Sequence, residues 1–203
     1  MRFFKEHSYD IIRLYVNQIG ITIFSMMLYT AIGGVTEDIV LFARLRTAIS
    51  VFSILFYFVL IYYVMWEIGA KDKIRIDGGR IFPFRTKGVI LELFANIPNL
   101  ILSVLSVLFV SIYLISQNAV ANSAFAVLIM ITMYHASMYM GLIQTCVYGM
   151  NVPDVEVVDY PKYLIVSILF VAVPLLSVVV SHVAYTLGSK EIKLLSLFKA
   201  KKK

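Results

Sequence analysis

The sequence predicts an all-α, polytopic transmembrane helix bundle. Of its 203 residues, 61% are hydrophobic and only 15% are charged, and its mean hydropathy is +0.88. Ordinary soluble domains are less apolar than this. Between Leu93 and Pro153 the chain has no Asp, Glu, Lys or Arg, a run about three times as long as one helix needs to cross the hydrocarbon core. Because backbone groups find no water partner in lipid, such runs must be helical.

Five uncharged runs are long enough to span the membrane, and Gly, Pro, Asn and Asp mark the breaks between them. The predicted spans are residues 14–34, 47–66, 93–117, 124–148 and 163–187. The first follows Arg2, Lys5 and Arg13, as a signal peptide would, but it is longer than the roughly 7–15 apolar residues of such a peptide. We therefore expect it to be retained as a span. The single Cys146 forms no internal disulfide and is interpreted as a helix residue.

The segment between the second and third spans, residues 67–88, is a basic loop. The basic residues of the preceding loop are only Arg44 and Arg46. Because short basic loops stay in the cytoplasm, we predict that this loop and the N-terminus lie there. Residues on both sides of Asp77-Gly78-Gly79 alternate in polarity, which predicts either a small β-hairpin or an irregular loop.

The basic tail, residues 189–203, conflicts with a count of five spans, because an odd number places it outside. The segment WEIGAKD at 66–72 has the same pattern of residue types as YTLGSKE at 185–191. This similarity favours two helix ends on the same side of the membrane, with an even number of membrane crossings between them. Division of residues 89–117 at Pro98 would leave pieces too short to span. We predict about five spans, with six as the alternative.

Polar residues within or beside the apolar runs are candidates for a polar cavity. Glu92 would be a proton or cation site inside the membrane, or a solvated residue on an interfacial helix over Lys87–Asn96. His135 is more typical of hydrogen bonding between helices. The full set is Asn17, Gln18, Glu92, Asn96, His135, Gln144 and His182.

Soft ligands suited to Cu(I) occur at Met130, Met133, His135, Met138 and Met140. On one continuous helix these side chains scatter around the axis, so the sequence predicts no metal and no cofactor. Motifs of the His-Glu-x-x-His, Walker and Gly-x-Ser-x-Gly types are absent from the sequence, and no catalytic residue is assigned.

Three stretches carry a resemblance to known proteins: VMWEIGAKDKIRIDGGR at 64–80, FFKEHSYDIIR at 3–13 and ANIPNLIL at 95–102. The chain resembles uncharacterised small multi-pass membrane proteins of Firmicutes over most of its length. The resemblance implies a location in the bacterial cytoplasmic membrane. It contains no catalytic motif and implies no mechanism.

Three functions are open at this point. The leading hypothesis is a non-enzymatic subunit of a transport or envelope-associated complex, whose basic loop contacts a membrane or cytoplasmic protein partner or anionic lipids. The alternative is a small-solute binding or permeation protein, similar in size, basicity and span count to the substrate-capture components of energy-coupling vitamin transporters. The third is a membrane-embedded lipid-modifying enzyme. Nucleic acid is not expected as a partner. The candidate docking or lipid-contact residues are Lys71, Asp72, Lys73, Arg75, Arg80, Arg85 and Lys87.

Overall fold

The computed structural model describes residues 2–149 and 159–192, and over these residues it contains helices and no strand. The all-α prediction is confirmed. The helices of the described ranges are α1 (Arg2–Gly33), α2 (Ile39–Asp77), α3 (Lys87–Ala95), α4 (Ile97–Ser116), α5 (Ala119–His135), α6 (Ser137–Tyr148), α7 (Tyr160–Ala172) and α8 (Leu175–Gly188).

The helices are those of a multi-pass membrane protein. In the described chain, four stretches are long and apolar enough to cross a bilayer: Phe3–Gly33, Ile39–Asp77, Ile97–Ser116 and Tyr160–Gly188. The last joins α7 and α8 across Pro174. Helices α5 and α6 together pass the same test, but they are bent by 115°. The described residues therefore provide four helices able to cross a bilayer, or five if the bent pair is one span.

Helix α2 extends well beyond the predicted second span. It continues past Trp66 to Asp77, so the first half of the predicted basic loop is helical. Two ion pairs at i,i+4 spacing stabilise this extension. Lys71 Nζ lies 2.6 Å from Glu67 Oε1, and Lys73 Nζ lies 3.1 Å from Asp77 Oδ2.

The turn after Asp77 is a helix C-cap. Gly79 has a φ of +69°, which glycine adopts without strain. The amide of Arg80 donates to the carbonyl of Arg75 at 2.9 Å, a bond typical of glycine-terminated helices. The predicted β-hairpin does not form, because Asp77 and the residues before it belong to the helix.

The chain divides into two compact units, one of residues 1–17, 57–95 and 175–203 and one of residues 18–56 and 96–174. In the first unit, the end of α2 packs against α8 at two glycines. A side chain on Gly69 would collide with the backbone of Tyr185, and one on Gly188 would collide with the backbone of Trp66. Gly69 and Gly188 hold equivalent positions in WEIGAKD and YTLGSKE. The sequence echo therefore marks a reciprocal close contact between helices.

The two echoed segments run in the same direction. Lys73 and Glu191, each beyond its glycine, remain close enough to interact electrostatically. The indole Nε1 of Trp66 donates to the carbonyl of Ile192 at 2.9 Å. Helices α2 and α8 therefore end at the same face of this unit.

In the second unit, α4 packs against α5 and α7. Hydroxyl groups lie in both contacts: Ser106 Oγ is 3.2 Å from Thr132 Oγ1, and Ser103 Oγ donates to the carbonyl of Phe170 at 3.2 Å. Small polar residues of this kind let membrane helices approach closely and hydrogen-bond across the interface.

Hydroxyl groups also satisfy backbone groups at the bend between α5 and α6. Thr22 donates to the carbonyl of His135 at 3.1 Å, and Ser50 donates to the carbonyl of Met138 at 2.5 Å. The hydroxyl of Ser137 donates to the carbonyl of Thr22 at 2.8 Å. Irregular backbone at membrane depth is tolerated where protein groups satisfy it, and the bend meets this condition.

The two ends of the bent pair meet the same turn of α7. The hydroxyl of Tyr160 donates to Asn122 Oδ1, near the start of α5, at 3.0 Å. Lys162 Nζ lies 5.5 Å from the ring centroid of Tyr148, the last residue of α6. Helix α6 therefore ends close to where α5 begins, beside the start of α7. This geometry favours a re-entrant hairpin over a helix that crosses the membrane.

Candidate functional site

The second unit contains a cavity of about 600 Å³, a size within the range of small-molecule sites, about 300–1,000 Å³. Residues of α1, α2, α5, α6 and α7 line it, and most of its surface is apolar. Phe42 and Phe125 contribute aromatic walls, while Tyr29 and Asn122 contribute polar groups. The bend between α5 and α6 makes this cavity, because it lets residues from both helices line one space.

Arg46 of α2 is the one charged side chain among the described residues that line this cavity. Only 8% of the residue is exposed. Its guanidinium carbon lies 5.7 Å from the ring centroid of Phe42, and its Nε is buried without a hydrogen-bond partner. No ion pair to Arg46 forms within the described ranges. A buried charge without a counterion is costly, and such residues in membrane segments usually mark functional sites.

The surroundings of Arg46 are held in place by neighbouring backbone and hydroxyl contacts. Gly141 of α6 packs directly on the carbonyl of Arg46, where a side chain would collide. The amide of Gly141 donates to the hydroxyl of Tyr29 at 3.4 Å. On the other helices, Asn122 accepts from Tyr160. The polar groups that line the cavity with Arg46 are therefore held by contacts among α1, α5, α6 and α7.

Four methionines line the cavity: Met26, Met130, Met133 and Met140. The prediction that the methionines of 130–140 scatter around one helix is wrong, because that segment is two helices joined by a bend. The same cavity also holds the buried guanidinium of Arg46, whose positive charge opposes the binding of Cu(I). No group of three or more His, Cys, Asp or Glu that could hold a metal is found among the described residues.

None of the seven polar residues predicted to form a cavity is among the described residues that line this one. The structure buries Gln18, Glu92 and Asn96 fully and buries Asn17, His135, Gln144 and His182 partly. Asn17, Glu92 and His182 belong to the first unit, and the others belong to the second. Their convergence on one polar cavity stays a prediction.

Glu92 lies on α3, the short helix that the sequence places over Lys87–Asn96. The residue is fully buried, and Tyr57 donates its hydroxyl to Glu92 Oε1 at 3.2 Å. The interpretation of Glu92 as a solvated interfacial residue is therefore wrong. It is a buried carboxyl group within the first unit.

Two of the predicted docking residues are buried. Asp72 and Lys87 form an ion pair at 2.7 Å with relative exposures of 2% and 4%. The hydroxyl of Tyr185 donates to the same carboxylate oxygen, Asp72 Oδ2, at 3.0 Å. This arrangement joins α2, α3 and α8, and it removes Asp72 and Lys87 from the docking surface.

The remaining docking candidates fall into two groups. Lys71 and Lys73 take part in the i,i+4 ion pairs of α2. Arg75, Arg80 and Arg85 are exposed and make no side-chain hydrogen bond or ion pair within the described ranges. These three arginines are available to a partner.

Sequence reasoning missed Arg46 as a site residue and counted it only as a charge of the first loop. The signal lay in the helix start. Asp38 caps α2, and its Oδ1 accepts from the amide of Val40 at 2.8 Å. A helix that begins after Asp38 places Arg46 two turns inside a largely apolar helix, where arginine is unusual.

No protein-family model, curated protein or solved structure matches this chain.

Proposed function

We propose that this multi-pass membrane protein is a non-enzymatic binding or permeation protein for a small amphipathic anion. The anion lies in the cavity of the second unit with its charged head at Arg46. The observation that carries this proposal is the buried guanidinium of Arg46, whose Nε has no hydrogen-bond partner in the part of the chain that the structure describes.

Charge complementarity selects the head group. A bound anion supplies a counterion, which Arg46 does not find among the described residues, and offsets the cost of its burial. The planar guanidinium forms paired hydrogen bonds with carboxylate or phosphate oxygens. The hydroxyl of Tyr29, fixed beside Gly141, adds a further hydrogen-bonding group at this end of the cavity. A carboxylate or phosphate is therefore the expected head.

The walls of the cavity select an apolar body. Methionine side chains are flexible and polarisable and adapt to apolar ligands of different shape, and the cavity has four of them together with Phe42 and Phe125. The described lining residues include no carboxylate, imidazole or thiol. For that reason we propose binding or passage of the molecule and not its chemical conversion.

Among the hypotheses from the sequence, this proposal develops the small-solute binding or permeation protein, with Arg46 in place of the predicted polar residues. Membership of a transport or envelope-associated complex stays a prediction.

The experiment is native mass spectrometry of the purified protein, with extraction and identification of small molecules that co-purify. We expect an anionic amphiphile in the wild type, its loss in Arg46→Gln, and its retention in Arg44→Gln. Arg44 is a matched control because it is an exposed arginine on the same helix. Equal ligand content in all three proteins, or a neutral or cationic ligand, contradicts the proposal.

A further inference from the structure

Two adjoining cavities lie in the first unit, at the end of α2 and remote in sequence from Arg46. Their volumes are about 580 and 260 Å³. Arg75 lines both, and Arg80 lines the larger one. The site is thus a cleft whose two exposed arginines belong to the segment that the sequence analysis identified as basic.

The C-cap of α2 brings these arginines together. Because Gly79 adopts a positive φ, the chain folds back and the amide of Arg80 bonds the carbonyl of Arg75 at 2.9 Å. Residues five apart in the sequence thus become neighbours. Both side chains line the larger cavity, and two guanidinium groups that face one space are well suited to bind the oxygens of one phosphate.

Neither Arg75 nor Arg80 forms an ion pair with another of the described residues. The acidic residues facing the cleft are Glu6, Asp10 and Asp72. Asp72 is paired with Lys87 at 2.7 Å, and Asp10 Oδ2 lies 3.5 Å from His7 Nδ1.

The basic residues Arg13 and Lys71 also line the smaller cavity. Both contact Glu67, at 3.0 and 2.6 Å. Arg13 and Lys71 thus share the carboxylate of Glu67, whereas Arg75 and Arg80 have no carboxylate partner among the described residues and can meet an external anion.

Apolar side chains border the same cleft. Phe82 is 94% exposed, and Ile81 and Phe84 are also exposed. All three line the larger cavity, and the ring of Phe84 packs edge-on against Phe3 with centroids 6.0 Å apart. An exposed phenylalanine beside arginines, where the chain leaves one membrane helix and approaches the next, is typical of segments that lie at the lipid headgroup boundary.

We propose that this cleft binds an anionic phospholipid, with Arg75 and Arg80 on the headgroup phosphate and Phe82 inserted beside the acyl chains. The arginines alone would suit any phosphate or acidic group. The exposed Phe82 favours a lipid as the ligand. Free phosphate gains no binding free energy from an apolar neighbour, whereas acyl chains bury the phenylalanine side chain. This site is separate from the Arg46 cavity and stands independently of it.

The test uses full-length protein reconstituted into bilayers of equal parts phosphatidylcholine and phosphatidylglycerol, followed by native mass spectrometry of retained lipid. We expect preferential retention of phosphatidylglycerol, reduced about tenfold in the double variant Arg75→Gln/Arg80→Gln because each basic residue adds to attraction for anionic lipid. Arg85→Gln is the matched control, since Arg85 is exposed but does not line the cleft. It should retain the lipid as the wild type does.

Two further variants separate the parts of the proposal. Arg75→Lys/Arg80→Lys keeps the charge but loses the paired geometry, so its retention should fall between the wild type and the glutamine variant. Phe82→Ser should weaken lipid retention with the arginines intact. All these side chains are exposed, and an unchanged melting temperature shows that each variant is folded.

Four results would overturn the proposal. The first is equal lipid retention in the wild type and the double glutamine variant. The second is an equal loss in Arg85→Gln, which would indicate general charge attraction. The third concerns competition for the bound lipid. If inorganic phosphate displaces the lipid as well as soluble phosphatidylglycerol does at the same concentration, free phosphate is the ligand. An acidic protein that co-purifies through Arg75 and Arg80, with lipid retention unchanged, would also contradict it.

Discussion

Lys87 of α3 and Asp72 of α2 form a buried ion pair at 2.7 Å, and Tyr185 of α8 donates its hydroxyl to the same carboxylate. Gly88, next to Lys87, packs on the backbone of α8, where Ser181 donates to its carbonyl at 2.8 Å. Helices α2, α3 and α8 are therefore joined by a charged contact inside an apolar environment.

Loss of one partner of this pair should destabilise the protein strongly. Asp72→Asn leaves the charge of Lys87 buried and unpaired, which costs about 3–5 kcal/mol. Replacement of both residues, Asp72→Asn with Lys87→Met, should recover much of the loss. Thermal unfolding in detergent is the measurement. Lys73→Met, which breaks the more exposed pair with Asp77, is the control and should lower stability by only about 0.2–0.5 kcal/mol. If the control and Asp72→Asn lower the melting temperature by similar amounts, the buried pair contributes no more to stability than the exposed one.

Helices α2 and α8 should end on the same side of the membrane. Their contact at Gly69 and Gly188, together with the return of α5–α6 to its starting end, predicts an even number of crossings between them. Single cysteines at Gly78 and Lys190, in a Cys146→Ser background, should react with a membrane-impermeant reagent from the same side. We expect that side to be the cytoplasm. A cysteine at Gly34 should react from the other side. Labelling of Gly78 and Lys190 from opposite sides would mean that the bent pair crosses the bilayer.

A methyl group at Gly141 should disturb the cavity. Gly141→Ala would force α6 away from the carbonyl of Arg46, and overpacking of this kind costs about 1–3 kcal/mol. Gly20→Ala is the matched control, because nothing lies within 4 Å of a Cβ there. It should be neutral or stabilising, since alanine favours helices over glycine by about 1 kcal/mol. The measurement is the unfolding temperature of each variant. Equal stability of Gly141→Ala and Gly20→Ala would contradict the close contact of α6 with α2.

The start of α7 should depend on pH through Asp159. The carboxylate caps the helix and accepts hydrogen bonds from the amide and ammonium groups of Lys162. The hydrogen bond from the Lys162 side chain is the main cause that lowers the pKa of Asp159 below its ordinary value. The stabilisation is therefore complete above the unfolded pKa of about 3.9 and is lost as the pH falls through the lower folded pKa.

Asparagine caps helices about as well as aspartate but does not titrate. The melting temperatures of the wild type and Asp159→Asn should be compared from neutral pH to below pH 4, since about 4 is the unfolded pKa of aspartate. The value for the wild type minus that for the variant should decrease as the pH is lowered. A difference that is constant with pH would show that the charge of Asp159 does not stabilise the folded state.

The sequence predicted the helical class and the positions of the apolar segments because both follow from hydrophobic runs that lipid forces into helices. The extension of α2 to Asp77 was also predictable. The pairs Glu67–Lys71 and Lys73–Asp77 have the i,i+4 spacing that stabilises helices. Charge density in this segment led instead to the interpretation of a loop.

The bend between α5 and α6 could not be predicted from local sequence. Neither proline nor glycine occupies the junction, and Thr22 and Ser50, which hydrogen-bond its carbonyls, are about 90 to 115 residues distant in the chain. The buried pair of Asp72 and Lys87 was missed for a related reason. Its burial depends on α8, which begins about 90 residues after α3 starts.

Equilibrium binding of a medium-chain fatty acid tests the central claim that Arg46 holds an anionic amphiphile. Decanoate and decanol, which share a chain and differ in charge, should be titrated into wild type, Arg46→Gln and Arg44→Gln in detergent. The account predicts that the wild type and Arg44→Gln prefer decanoate, and that Arg46→Gln binds it about ten- to a hundredfold more weakly, as expected for loss of a hydrogen bond to a charged group. Equal affinity of the wild type for decanoate and decanol, or an unchanged affinity for decanoate in Arg46→Gln, would contradict it.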